Sequence, residues 1–333
     1  MGLIYGSAMK LLVTGGAGYI GSVVSEQLLG AGHEVVVIDN LSRGHRAAVP
    51  TGARLLEVDL REVEPVRSAL AEGFDGVMHF AALALVAESV RQPEAYWRNN
   101  VEGTLNLLDA MRAARVPSLV FSSTCACYGQ PDEAPISEDA PTRPTNPYGA
   151  AKLAADRMIS DVCAAHGIGA ISLRYFNVAG ASGSLGEDHN PETHIIPNVL
   201  RVALGQETHV QVFGTDYDTP DGSAVRDYIH VEDLGVAHAL ALERVTPGEH
   251  AIYNLGNGAG FSVREVVETA RAVTGHELPI AEVPRRPGDP PRLVASSELI
   301  RERLGWVPAK PELRTMIEDA WAWAQAHPDG YPD

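Results

Sequence analysis

The sequence predicts an α/β protein, a doubly wound parallel sheet that continues into a smaller α/β lobe. Three observations carry the prediction. Apolar, β-branched runs alternate with helical stretches through the first half of the chain, the pattern of βαβ units. The first of these runs ends in a glycine cluster that opens a helix. After Asn177 the alternation gives way to short runs and stretches rich in glycine, histidine and aspartate.

The elements follow in order. Lys10 to Thr14 is a short apolar strand, Tyr19 to Leu29 a helix, and Val35 to Asp39 a second strand. Leu55 to Val58 and Val77 to Phe80 are two more strands. A long helix over Glu94 to Arg115 leads to a strand at Leu119 to Ser123, and a second long helix over Tyr148 to Ala165 leads to one at Ala170 to Tyr175. Right-handed crossovers put helices on both faces of such a sheet. Ala181 to Pro197 lacks periodicity and reads as loop. Short strands at Val210 to Phe213, Tyr228 to Val231 and Ile252 to Leu255 follow, with helices near Val199, Asp233, Ser262 and Pro311. Pro284 to Pro291 contains four prolines and must be extended. The expected division is residues 9–178 for the sheet domain and 179–333 for the lobe, with segments near 228–256 returning to the sheet. Residues 1–8 precede a second methionine, Met9, and are set aside from the fold.

Composition narrows the function. With 333 residues, 45% of them hydrophobic, the chain can bury a large core. A formal net charge of -17 argues against nucleic acid as a partner but permits an anionic ligand in a local basic pocket. Cys125, Cys127 and Cys163 are too few for a disulfide framework, and no second cysteine pair completes a metal site, so no metal is expected. No apolar stretch suits a membrane span and no signal peptide is evident, so a soluble cytoplasmic protein is expected.

The glycine cluster Thr14-Gly15-Gly16-Ala17-Gly18-Tyr19-Ile20-Gly21 lies between a strand and a helix. Glycines there permit a tight turn and let the backbone approach a pyrophosphate at the helix start. Asp39 ends the next strand roughly 20 residues on, where a carboxylate accepts bonds from ribose hydroxyls and repels a 2′-phosphate. The combination predicts a Rossmann-type domain binding NAD rather than NADP. Asp59 also follows a strand and reads either as an adenine neighbour or as a helix cap.

Tyr148 and Lys152 stand four apart at the start of a predicted helix and share one face. An ammonium and a nicotinamide beside the phenol would both favour the phenolate and lower the Tyr148 pKa, making it a usable base. Thr124, at the end of the fifth strand, can bond a substrate hydroxyl and share its proton with Tyr148. Asn99 is placed to orient this network.

These segments resemble the extended short-chain dehydrogenase/reductase family, and within it the enzymes that invert C4 of UDP-hexoses. The resemblance runs through TGGAGYIGS from Thr14, VIDNLSRG from Val37, HFAA from His79, NNVEGT from Asn99, SSTCACYG from Ser122, NPYGAAK from Asn146 and LRYFNVAGA from Leu173. It continues in VRDYIHVEDL from Val225, YNLGNG from Tyr253, RRPGD from Arg285 and the terminal HPDGYPD. It implies interconversion of UDP-glucose and UDP-galactose: C4 is oxidised, the 4-keto sugar turns over, and hydride returns to the opposite face. Tyr148, Lys152 and Thr124 are the implied catalytic residues. The implied NAD contacts are Gly15, Gly18, Tyr19, Ile20, Gly21, Asp39, Asn40, Asp59, Phe80, Ala81, Ala82, Asn99, Ser122, Tyr148, Lys152 and Tyr175. The implied substrate contacts are Thr124, Tyr148, Asn177, His194, Ile195, Gln211, Phe213, Arg226, Arg286, Asp289 and Leu293. Arg226 and Arg286 would hold the diphosphate, Asp289 the uridine ribose and Phe213 the uracil; for His194 a solvated loop histidine is the stronger reading. The resemblance also implies a homodimer built on the two long helices.

Two departures stand out. The family usually carries a lysine just after HFA, where this chain has Leu83, Ala84 and Leu85. In the family a tyrosine at the position of Leu293 restricts the sugar to glucose and galactose and a small residue admits N-acetylated sugars, so leucine there implies some activity on UDP-N-acetylglucosamine. Epimerisation of another UDP-sugar (N-acetylhexosamine or glucuronate) and a non-catalytic nucleotide sensor are the alternative readings. A dehydratase is disfavoured because Thr124 is followed by Cys125 and Ala126 rather than by an acidic pair.

Overall fold

The computed structural model describes residues 7–286 and 289–332. Most of residues 1–8, and two residues of the proline-rich stretch 284–291, lie outside it. Seven strands form one parallel sheet: β1 (Lys10–Thr14), β2 (Glu34–Asp39), β3 (Arg54–Glu57), β4 (Gly76–His79), β5 (Ser118–Thr124), β6 (Gly169–Tyr175) and β11 (His250–Leu255). Their spatial order is β11-β6-β5-β4-β1-β2-β3, every pair parallel. The order reverses between β1 and β4, so a crevice opens there at the C-terminal ends of the strands.

The apolar runs are buried on both faces, as a covered parallel sheet requires. Leu12, Val36, Val77 and Phe121 pack on α2 (Val63–Leu70), α5 (Gly103–Ala114) and α6 (Pro147–His166). Their neighbours Leu11, Val13, Val35 and Met78 pack on α1 (Tyr19–Gly30), α8 (Val231–Glu243) and α10 (Glu298–Leu304). Successive residues of a strand thus serve opposite layers. His79 ends β4 inside this core, its two ring nitrogens held by the Thr14 and Thr104 hydroxyls at 2.7 and 2.9 Å. Burial, reinforced by nearby Lys152, pushes it down to about 3, so it is a neutral structural link.

The remaining elements form the lobe. β7 (Asn177–Ala179) pairs with β10 (Tyr228–His230), β8 (Val210–Phe213) with β13 (Ile280–Val283), and β9 (Val225–Arg226) lies between β12 (Phe261–Ser262) and β14 (Arg292–Leu293). α7 (Ile195–Ala203), α9 (Val263–Thr274) and α11 (Leu313–Ala326) share a core built on Val199, Val266 and Met316. A complete capping box, Ser262 with Glu265, starts α9. The chain crosses back after β10: α8 packs against α1, and β11 becomes the sheet's edge strand beside β6.

Two local readings need correction. The helix expected over Glu94 to Arg115 is interrupted. α3 (Val86–Arg91) and α4 (Pro93–Tyr96) come first, then a π-helical turn spans Trp97–Glu102 before α5 begins. The inserted turn presents Asn100, whose side chain holds both the N–H and the carbonyl of Leu83, at 2.8 and 2.9 Å. α2 and α10 also carried too weak a pattern to be read from sequence.

α6 is held by charge as well as by apolar contact. Asp156, 2% exposed, accepts from Arg174 Nε and Nη2 at 3.0 and 2.9 Å and from Ser123 Oγ at 3.1 Å. Arg174 on β6 also donates to Tyr128 Oη, which reaches Asn254 on β11. Removing one partner of such a pair leaves a buried charge alone, at a cost of about 3–5 kcal/mol. Asp156→Ala is therefore expected to lose about that much stability in denaturant unfolding; a loss below about 1 kcal/mol would show the pair to be dispensable.

Candidate active site

One cleft of about 1270 Å³ runs along the crevice and into the lobe, and it is lined by every residue the sequence singled out for cofactor or substrate. Single small-molecule sites are typically about 300–1,000 Å³. The extra space suits two ligands end to end.

At one end lies the glycine loop. Gly15 has φ +74°, and a Cβ there would stand 2.5 Å from the backbone nitrogen of Ala81. A Cβ on Gly21 would meet the Gly15 carbonyl at 2.2 Å. Both are required by the protein's own packing. Gly18 differs: its Cβ would touch only the Gly15 carbonyl, at 3.4 Å, so its bareness keeps the cleft-side approach open. No side chain caps α1 and no acidic residue sits in its first turn, leaving the positive helix end available to an anion.

Asp39 has two tasks. It lines the cleft, and it accepts from the N–H groups of Ala17 and Leu41 at 3.1 and 2.8 Å, tying β2 to the glycine loop. Burial raises its pKa and those two bonds oppose the rise. Asp59 accepts from Arg61 and from Asn40 Nδ2, and these donors hold its carboxyl far below the usual range. α2 begins only after Glu62, so Asp59 does not cap it. Phe80 and Ala81 are positioned by their N–H groups on Thr14 O, and Ala82 continues this wall. Tyr19 and Ile20 line the cleft, but the Tyr19 phenol is buried among Val23, Leu185 and Val231 and donates to Gly180 O at 2.6 Å. What Tyr19 offers the cleft is backbone.

At the floor, α6 presents Tyr148 and Lys152 under Thr124. Asn146 caps the helix, its Oδ1 accepting from Gly149 N–H at 2.9 Å, and Pro147 occupies the first turn. Lys152, 2% exposed, donates to Ser122 O at 2.8 Å and stands 4.6 Å above the Phe121 ring. Burial pulls its pKa down to about 8 against the pull of Asp156. The expected lowering of the Tyr148 pKa is absent here. Desolvation, with Tyr175 next, pushes the phenol well above its ordinary value, and a hydrogen bond with Thr124 opposes the rise. The reason is burial of the phenol, while the Lys152 ammonium is engaged by the Ser122 carbonyl. Ser122 Oγ bonds Tyr175 Oη at the neighbouring strand end. Asn99 lines the cleft, but its amide is spent on Asn100 Oδ1 at 3.0 Å rather than on the Tyr-Lys pair.

The lobe forms the other end. Arg226 on β9 donates to Asp289 Oδ1 at 2.5 Å and to Val225 O at 2.7 Å. Arg286 lies 3.9 Å over the Phe213 ring, an aromatic face sandwiched against a guanidinium. Gln211 shares β8 with Phe213, and Leu293 pairs with Arg226 in the small sheet. Asn177 opens β7, and His194 with Ile195 opens α7. Leu83, Ala84 and Leu85 line the cleft without a cation; among the described lining residues the Lys and Arg side chains are Arg43, Lys152, Arg226 and Arg286.

Sequence reading missed Arg43, which joins Asn190 O at 2.7 Å and Glu88 at 2.6 Å across the cleft mouth. It also missed Glu187, His189 and Glu192 in the wall beside His194. Their spacing, E-x-H-x-x-E-x-H, was the available signal.

Comparison with known proteins agrees along the whole chain. The UDP-glucose 4-epimerase of Corynebacterium glutamicum is 57% identical over 319 residues, covering 96% of each chain. A solved UDP-glucose 4-epimerase superposes with a TM-score of 0.94 at 48% identity, covering 97% of this chain and 100% of the other. That of Bifidobacterium longum, in complex with NAD+ and UDP, gives 0.92 at 38% identity, with 97% and 100% covered. A profile of the NAD dependent epimerase/dehydratase family matches residues 11–256, from β1 to the edge strand β11. With the glycine loop, the Tyr-Lys pair and the arginine-lined lobe meeting in one cleft, the chain belongs to the NAD dependent epimerase/dehydratase family.

Proposed function

We propose that the protein interconverts UDP-glucose and UDP-galactose by inverting C4, with NAD retained between turnovers. The single observation that carries this is the position of Thr124, Tyr148 and Lys152 on the floor of one cleft, between a glycine loop and an arginine-lined lobe. NAD, when bound, supplies the reversible hydride acceptor that C4 inversion needs. The open start of α1, the bare Gly18 and Asp39 are the features that fit its pyrophosphate and ribose. Residues 9–178 are assigned to the cofactor and 179–333 to the sugar nucleotide, with α8 and β11 returning to the sheet.

On this reading Tyr148 takes the proton of the sugar hydroxyl and returns it, with Thr124 bridging hydroxyl and phenol. Lys152 keeps positive charge under the floor, and the positive charge of a nicotinamide would bring the raised Tyr148 pKa back toward the working range. Arg226 and Arg286 bind the diphosphate as forked donors, Asp289 the ribose and Phe213 the base. Anchoring the nucleotide while leaving the hexose loosely held lets a keto sugar rotate and present its other face. Neither Asp nor Glu stands beside Thr124 in the chain to drive elimination instead.

Purified protein given UDP-galactose without added NAD is expected to form UDP-glucose, resolved by chromatography. Tyr148→Phe should lower kcat by about 10²–10⁴-fold. Absence of product even with NAD supplied would overturn the assignment. Leu293 in the cleft wall supports a second activity, on UDP-N-acetylglucosamine, that Leu293→Tyr removes while galactose turnover persists. An undetectable rate on the N-acetylated sugar in the unsubstituted protein refutes it.

We also propose a cytoplasmic homodimer. Val90, Trp97 and Leu105 are 62, 42 and 43% exposed along α3, the π turn and α5, beside α6. Among the described residues no helix is long and apolar enough to cross a membrane. Light scattering should give twice the chain mass, and Leu105→Glu should reduce it to one; a monomeric parent protein rejects the dimer.

A further inference from the structure

Between β7 and α7 the chain reads Glu187-Asp188-His189-Asn190-Pro191-Glu192-Thr193-His194. Four of these side chains each offer one potential ligand atom, and the four atoms lie within 4.8 Å of one another. His189 Nδ1 lies 3.2 Å from Glu187 and 3.6 Å from Glu192. His194 Nδ1 lies 2.7 Å and 3.1 Å from the same two carboxylates. Ligand atoms bound to a tetrahedral zinc at about 2.0–2.2 Å stand about 3.3–3.6 Å apart. The two His189 separations are close to that spacing and the two His194 separations are shorter, with the histidines facing different oxygens of Glu192.

Three further observations set this cluster apart from a surface group of charges. The carboxylates are buried, with the Glu192 side chain 1% exposed and that of Glu187 9%. Both Nδ1 atoms are sealed from solvent although the imidazole side chains are 31 and 43% exposed, and neither has a well-aligned hydrogen bond to the carboxylate oxygens beside it. Finally, Glu192 Oε1 is already oriented by the N–H groups of Thr193 and His194 at 2.6 and 2.7 Å, the kind of outer-shell support that metal ligands receive.

We propose that Glu187, His189, Glu192 and His194 bind one zinc ion. Two neutral imidazoles and two carboxylates carry a charge that a divalent cation neutralises, and this nitrogen–oxygen set suits zinc better than calcium or magnesium. Four protein ligands close the coordination sphere, so the ion is structural. It clamps the loop that enters α7, since His194 is the residue preceding that helix, and it stiffens the cleft wall. The same loop is tied from outside by Asp188, which accepts from Tyr331 N–H at 2.9 Å. The competing state is metal-free, with both imidazoles protonated. Burial works against charge on His189, but Glu187 and Glu192 outweigh it and pull it up to about 9.

The test is the metal content of protein purified without a metal-binding tag, measured by mass spectrometry for the parent chain, His189→Ala and Glu192→Gln. About one zinc per parent chain is expected, and at least tenfold less in each variant whose circular dichroism matches the parent. The parent is then stripped with a chelator and titrated with zinc and with cobalt. Zinc should raise its unfolding midpoint by several degrees, and cobalt should give the intense visible bands of a four-coordinate site. If a variant fails to fold, the stripped parent decides alone. Zinc content equal in parent and variants, or no thermal response of the stripped parent to added zinc, overturns the proposal.

Discussion

The buried pair of Asp156 and Arg174 is the constraint on which the site's geometry depends. It joins the middle of α6 to β6, and through Tyr128 and Asn254 to the edge strand β11. Tyr148, Lys152 and Asp156 follow one another at four-residue intervals, so they occupy one stripe of the helix. The Tyr148 phenol, the Lys152 ammonium and the Asp156 carboxylate are consequently positioned as one rigid row. A rotation of α6 that moved Tyr148 would also break a desolvated ion pair, which is costly.

The opposite wall is set by close backbone approach. Gly15 against Ala81, and Gly21 against Gly15, draw the loops after β1 and β4 together at the point where the strand order reverses. Asp39 reinforces this from β2 with two backbone bonds. The crevice is therefore preformed by packing and hydrogen bonds, with one glycine, Gly18, left unencumbered on the cleft side.

Charge is distributed unevenly. The chain carries a net -17, yet Arg43, Lys152, Arg226 and Arg286 all face the cleft. A diffuse negative surface keeps polyanions away, whereas a few forked or buried cations recognise a small phosphate ligand at short range. Arg226 and Asp289 are held together in the lobe and pre-orient each other.

Much was legible in the sequence because it is local. Continuous apolar runs at Leu11 to Val13 and Val35 to Ile38 identify strands covered on both faces, and Asn146-Pro147 announces the start of α6. Glycine spacing and the Tyr148–Lys152 interval report turn chemistry and helical periodicity directly. Three things needed the tertiary structure. The π turn at Trp97–Glu102 comes with the bonds of Asn100 to Leu83; the Lys152 ammonium is turned to the Ser122 carbonyl on β5; and the two histidines and two glutamates converge in a loop without periodicity. Periodicity encodes which face of an element is buried. It carries no information on desolvation or on how atoms far apart in the chain, or crowded within an irregular loop, come to share one point in space.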